Sequence, residues 1–190
     1  SQKLLSLMFS YLFKQNLSKG KDELNTIISH AVLGTPINNP LEKGQEVAYF
    51  ACGCFWGAEK GFWKLPGVVT TAVGYAGGTR ENPSYNEVCS GRTGHTEIVK
   101  VVWDPLEIGF SDLLKLFWEC HNPTQGNRQG NDRGSQYRSA IYTTTDQQIT
   151  LAQSSLSSYQ NKLDTKKLGS ITTEIKKDQT FYYAEEYHQQ

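Results

Sequence analysis

The sequence has no excess of either charge: nineteen basic residues stand against nineteen acidic ones. Proteins that grip nucleic acid carry surplus Lys and Arg to neutralise phosphates, so the balance argues against that partner. Cysteine is scarce, with Cys52, Cys54, Cys89 and Cys120 the only four in 190 residues. That is too few for a disulfide framework in a chain of this length, and free thiols in a reducing compartment are expected. Cys52 and Cys54 are one residue apart, and the other two have no near neighbour. Structural zinc sites usually space their ligands by two to four residues, so no metal is expected. The glycines of 74–78 form neither GxGxxG nor GK[ST], which removes a phosphate loop. No segment repeats at a period of 20–50 residues. The apolar stretch LLSLMFSYLF at 4–13 is too short to span a bilayer, and no small-x-small cleavage site follows closely. It is expected to be a helix packed on the domain. The expected compartment is cytoplasmic, with a trimmed targeting region as the alternative for this segment.

What is present suits one α+β domain. Apolar residues make up 37% and charged residues 20%, ordinary values for a chain with one sizeable core. Residues 1–44 read as a helix and a wrapping extension punctuated by Gly34, Pro36, Pro40 and Gly44. A regular pattern then runs over 45–190. Strands are expected at 46–51, 68–75, 95–103, 139–142 and 170–176, where β-branched and aromatic residues concentrate. Helices are expected at 54–64, after a Ser111 cap, and after the capping-box pattern Thr145-x-x-Gln148. Loops are expected at 77–90 and 122–136. The first six elements follow the split β-α-β layout, so a two-layer ferredoxin-like core with a mixed sheet and added helices is the expected fold.

The densest chemical signal is Gly53-Cys54-Phe55-Trp56-Gly57, at a strand-to-helix junction. A thiol at a helix N-terminus faces unpaired amides and the positive end of the dipole, which favours the thiolate. A lowered thiol pKa is therefore expected at Cys54. Two adjacent aromatics there suit a pocket wall, although a buried core thiol beside core rings is the commoner arrangement. Glu97 shares a strand face with Val99, Val101 and Trp103, so burial should raise its pKa and let it donate a proton near neutrality. A strand-end carboxylate turned into water is the plain alternative. Tyr85 and Tyr137 stand on loops that could line a cleft or merely cap a core. Asp132, in Gly130-Asn131-Asp132, reads as a turn residue.

The chain resembles the type A peptide methionine sulfoxide reductases. The stretches that carry the resemblance are GCFWG (53–57), GYAGG (74–78), NPSYNEVCSGRTGHTE (82–97), HNPTQGNRQGNDRGSQYRSAIY (121–142) and FYYAEEYHQQ (181–190). Together they span about 45–190 in order. The resemblance implies that Cys54 attacks the sulfoxide sulfur and becomes a sulfenic acid, while Glu97 protonates the oxygen and Tyr85 and Tyr137 hydrogen-bond it. It implies that Phe55 and Trp56 enclose the substrate methyl group and that Asp132 supports the site through water. It also implies action on the S epimer, no cofactor, oxidised proteins or peptides as substrates, and thioredoxin or small thiols as reductant. A monomer that binds neither nucleic acid nor membrane is expected. Family members carry their resolving thiols in a tail beyond the tract matching 181–190. Within this sequence Cys89 is the best internal candidate, with Cys120 expected to be buried and Cys52 inert in the core. One round of reduction followed by a stall, relieved by an external thiol, is the resulting expectation.

Two other readings compete. A cysteine hydrolase would need a histidine base on the thiol, for which His95 and His121 are candidates. A non-catalytic cysteine-rich binding module would need a metal at the thiols.

Overall fold

The computed structural model describes residues 27–190, so the helix expected near the start of the chain lies outside the described residues. A six-stranded sheet runs through the domain in the order β7-β6-β1-β3-β2-β8. Its strands are β1 (Glu46–Ala51), β2 (Val68–Ala76), β3 (Thr96–Trp103), β6 (Ala140–Thr143), β7 (Glu174–Lys177) and β8 (Phe181–Tyr183). A small hairpin, β4 (Arg128–Gln129) with β5 (Asp132–Arg133), stands apart. Helix α1 (Phe55–Trp63) joins β1 to β2, and α3 (Phe110–Glu119) leads from β3 towards β6. β3 is antiparallel to both β1 and β2 and lies between them. β7 alone pairs in parallel, against β6, so the sheet is mixed.

The sheet buries both faces. Val99, Val101 and Trp103 point with Phe50 and Tyr75 into the larger core, which α1 and α3 cover with Phe55, Phe62, Leu113 and Phe117. Ile98, Ala51, Ala76, Ala140 and Tyr142 form a smaller cluster with Tyr49 and Phe181. On the side of Lys100, the extension before β1 contributes Ile37, whose carbonyl accepts from Lys100 Nζ at 3.4 Å and Tyr183 Oη at 3.1 Å. Helix α4 (Asp146–Thr165) packs on α3, where Trp118 stacks on Tyr159 with ring centroids 5.5 Å apart.

The β4–β5 hairpin and β8 form where no strand was expected, β7 begins at Glu174 rather than at 170, and three helical segments also differ from the sequence expectation. The stretch 77–90 is not all loop: α2 (Tyr85–Cys89) forms because Ser84 Oγ accepts from Glu87 N and Glu87 Oε2 accepts from Ser84 N. This reciprocal cap stabilises a single turn too short to show apolar periodicity. Helix α3 is capped at Gly109 rather than Ser111, with Asp112 Oδ2 accepting the Gly109 amide at 3.1 Å. At α4, Thr145 Oγ1 does accept from Gln148 N, but the Gln148 amide oxygen accepts from Thr144 N rather than from Thr145.

Candidate active site

Cys54 is the residue immediately before α1, at the end of the turn that leaves β1. Gly53 makes that turn with φ +88°, and an added Cβ would come within 2.7 Å of Gln129. The β4–β5 hairpin thus closes directly over Gly53 and brings Asp132 to the cleft. Gly53→Ala is expected to lower unfolding free energy by roughly 1–3 kcal/mol, from backbone strain plus the clash. A urea melt measures it, and a variant as stable as the parent would show that the hairpin is not held on Gly53.

Glu97 lies near the start of β3, opposite Tyr75 of β2. It is 2% exposed, and its Oε2 accepts from the Phe55 amide at 3.1 Å. This bond ties the carboxyl to the first turn of α1, beside Cys54. Burial raises its pKa to about 7, against a smaller lowering by the Phe55 amide and with a further rise from Asp132. The strand parity thus correctly placed Glu97 among core residues.

Cys54 itself departs from expectation. The Trp56 amide favours its thiolate, but burial and the carboxylates of Glu97 and Asp132 together outweigh it and move the thiol pKa up. One helix amide cannot offset desolvation and two negative neighbours. Burial and the two carboxylates thus favour the thiol over the thiolate at Cys54.

Tyr137 ends a 3-10 turn (Ser135–Tyr137). Burial first, then the charges of Glu97, Cys89, Asp132 and Cys54, raise its pKa, so its phenol remains an O–H donor at neutral pH. Tyr85 begins α2, and its pKa is raised first by hydrogen bonding with Cys89 and then by burial. Phe55 is buried, whereas Trp56 is 56% exposed beside it.

The site has one wall to which the sequence reading gave no role. His188 packs its ring 5.5 Å from Phe55, 5.7 Å from Trp56 and 4.5 Å from Tyr85. It is buried, yet neither ring nitrogen makes a hydrogen bond within the described residues, although Nε2 lies 3.3 Å from Glu185 Oε2. Glu185 fixes this segment by accepting the Tyr85 amide at 2.9 Å, and Gln190 donates from its own amide to the buried Glu59 at 3.1 Å. The tract 181–190 was legible as a motif, but nothing in its composition says that it folds back onto residue 55.

Neither histidine that the hydrolase reading named is available as its base. His95 accepts from Gly78 N at Nδ1 and reaches the Arg80 carbonyl with Nε2. His121 donates from Nδ1 to the Phe117 carbonyl and meets Ser139 Oγ at Nε2. Both rings are committed away from Cys54.

The family model for peptide methionine sulfoxide reductase matches residues 46–190. The chain belongs to the type A peptide methionine sulfoxide reductases. Among its relatives, the peptide methionine sulfoxide reductase MsrA of Salinispora arenicola is 60% identical over 161 residues, 85% of this chain and 73% of that protein. The solved methionine sulfoxide reductase A of Corynebacterium diphtheriae superposes with a TM-score of 0.81 at 50% identity, covering 87% of this chain and 80% of that one. Mxr1 of Saccharomyces cerevisiae in reduced form gives a TM-score of 0.73 at 32% identity over 86% of this chain and 90% of its own; Mxr1 has also been solved in complex with Trx2. The reductases of this family convert methionine S-sulfoxide to methionine, a reaction suited to a thiol beside a buried carboxyl and an aromatic wall.

Proposed function

We propose that Cys54 takes the sulfoxide oxygen as a sulfenic acid, with Glu97 as its proton partner. The observation that carries this reading is the Glu97 carboxyl, buried, bonded to the Phe55 amide, and with its pKa raised to about 7. A sulfoxide oxygen leaves sulfur only when protonated, and sulfur is attacked by a thiolate. The Cys54 proton passes to Glu97 and on to the sulfoxide oxygen as the Cys54 thiolate attacks the sulfoxide sulfur. The S–O bond breaks and the oxygen leaves as hydroxide, which then attacks the Cys54 sulfur. The new S–S bond breaks, methionine leaves as the thioether and Cys54 carries the oxygen. In net terms the thiol and the sulfoxide become a sulfenic acid and a thioether, with no proton drawn from solution. Tyr85 and Tyr137, held as phenols, donate to the oxygen as charge builds there. Phe55, Trp56 and His188 enclose the methyl group, and Asp132 supports the site through water. Residues 45–190 form the catalytic unit. As Mxr1 meets Trx2, so a thioredoxin or a small thiol serves this chain as the final reductant. The same cleft is open to oxidised proteins and peptides, and the chain works as a cytoplasmic monomer; among the described residues no helix is long and apolar enough to cross a membrane.

The pH dependence follows from counting protons on the pair. The reactive form, an acid at Glu97 and a thiolate at Cys54, holds one proton between the two groups. Below about pH 7 both are protonated. Above the raised pKa of Cys54 neither is. Activity (kcat/KM) is therefore expected to rise with pH through about 7, hold, and fall only beyond the ordinary thiol range. Measuring kcat/KM for methionine sulfoxide across this range tests it. A rate that declines steadily from below neutrality upward would mean that the neutral thiol attacks, and the proton-partner assignment would fail.

A further inference from the structure

Two of the cysteines not used in the reduction step lie together beside it. Cys52 is buried just beyond the end of β1, and Cys120 is exposed at the C-terminal end of α3. The apolar run of α3 suggested that Cys120 would be buried; the helix instead buries Phe117 and Trp118 and leaves the following cap position at the surface. The Sγ atoms of Cys52 and Cys120 and a ring nitrogen of His121 lie within 4.8 Å of one another. Cys52, Cys54 and Cys120 all line one open cavity of about 260 Å³. Its other walls include Gly57, Ala58 and Gly61 of α1, residues with little or no side chain, and Asp132 and Gln129 of the hairpin.

We propose that Cys120 and Cys52 form an internal dithiol relay that removes the oxygen from Cys54 and stores the oxidising equivalent as a Cys52–Cys120 disulfide. This rests on the sulfenic acid assigned above to Cys54. In the first step Cys120 sulfur attacks the Cys54 sulfur; the S–O bond breaks, the hydroxyl leaves with a proton as water, and a Cys54–Cys120 disulfide forms. In the second step Cys52 sulfur attacks Cys120, and Cys54 leaves as a thiolate that regains its proton. The sulfenic acid and two thiols thus become one thiol, one disulfide and one water, with two electrons passed from the pair to Cys54. The order is set by the environment. Hydrogen bonding from Cys52 and then His121 pulls the Cys120 thiol down, and burial pushes that of Cys52 up, so Cys120 is the first nucleophile. Cys120, at the surface where Cys52 is buried, is then the member of the pair nearer to an outside reductant. Cys89 has no part in this: it sits at the end of α2 under the Tyr85 phenol.

A metal fits the same three residues less well. His121 Nδ1, 3.9 Å from Cys120 Sγ, donates to the Phe117 carbonyl at 2.7 Å and so carries a proton where a ligand needs a lone pair.

The test is a single-turnover experiment on the reduced, desalted chain with one equivalent of methionine S-sulfoxide and no other thiol. Methionine is quantified, free thiols are alkylated, and the cysteine peptides are mapped by mass. The relay predicts one methionine, two thiols lost, Cys52 bridged to Cys120, and Cys54 alkylated. Cys52→Ser should accumulate the Cys54–Cys120 disulfide, and Cys120→Ser should leave a Cys54 sulfenic acid that dimedone traps. Methionine formed with Cys52 and Cys120 both free, whether Cys54 is a sulfenic acid or is bridged to Cys89, overturns the relay alone. Absence of methionine overturns the sulfenic acid assignment as well. Tight one-to-one Zn²⁺ uptake that shields both thiols from alkylation would replace the relay with a metal site.

Discussion

Cys54→Ser is expected to reduce methionine formation to below about one hundredth of the parent rate, because a serine hydroxyl near neutrality has neither the ionisation nor the polarisability needed to attack sulfur. Folding should be unaffected. Cys54 is only half-buried and caps α1 without a side-chain hydrogen bond, so the smaller oxygen leaves no structural partner behind. Initial rates with methionine S-sulfoxide and excess dithiothreitol, alongside a thermal melt, separate the two effects. Retention of substantial rate with an unchanged melt would place the nucleophile at another cysteine, and Cys120 would be the first to examine.

The second large effect is at Glu97. Glu97→Gln keeps an oxygen that can still accept the Phe55 amide, but it cannot hold or pass a proton. The chemical step is expected to slow by about a hundredfold or more, the usual scale for a positioned acid. The variant should also lose the rise in rate near pH 7. Removing the Glu97 charge takes away one of the groups that raise the Cys54 pKa, so a slower variant could not be explained by a scarcer thiolate. KM should change little, since Phe55, Trp56 and His188 are untouched. Near-normal kcat in the Gln variant would remove Glu97 from the role.

Much of this site was readable in the chain because it follows from short-range rules. A Gly-Cys pair between the strand-forming run EVAYFA and a helical run puts a thiol at a helix start. Parity from Trp103 back to Glu97 puts a carboxyl among core side chains. What escaped depends on sums and on distance. The direction of the Cys54 shift is a balance between one amide on one side and burial with two carboxylates on the other, two of which arrive from 43 and 78 residues away in the numbering of Glu97 and Asp132. The exposure of Cys120 turns on where a helix ends relative to the surface, which periodicity locates only to within a residue or two. Its neighbour Cys52 comes from the turn after β1, and no spacing rule joins positions 52 and 120. The β4–β5 hairpin and α2 are too short to carry a period, although Ser84 and Glu87 signal the second of these.

The return of residues 181–190 to the cleft has a consequence for how the protein is made. Gln189 Oε1 accepts from Val73 N across 116 positions, and Gln190 reaches Glu59 across 131. Such contacts close late, because the chain between them must first be ordered. On the ribosome, Cys54 and the aromatic pair after it emerge on the order of ten seconds before His188 can pack on Phe55 and Trp56. During that interval the nascent chain carries a reactive thiol and an open apolar notch at the point where a chaperone or an oxidant can reach both. Regained secondary structure should accordingly precede regained activity when the unfolded protein is diluted out of denaturant.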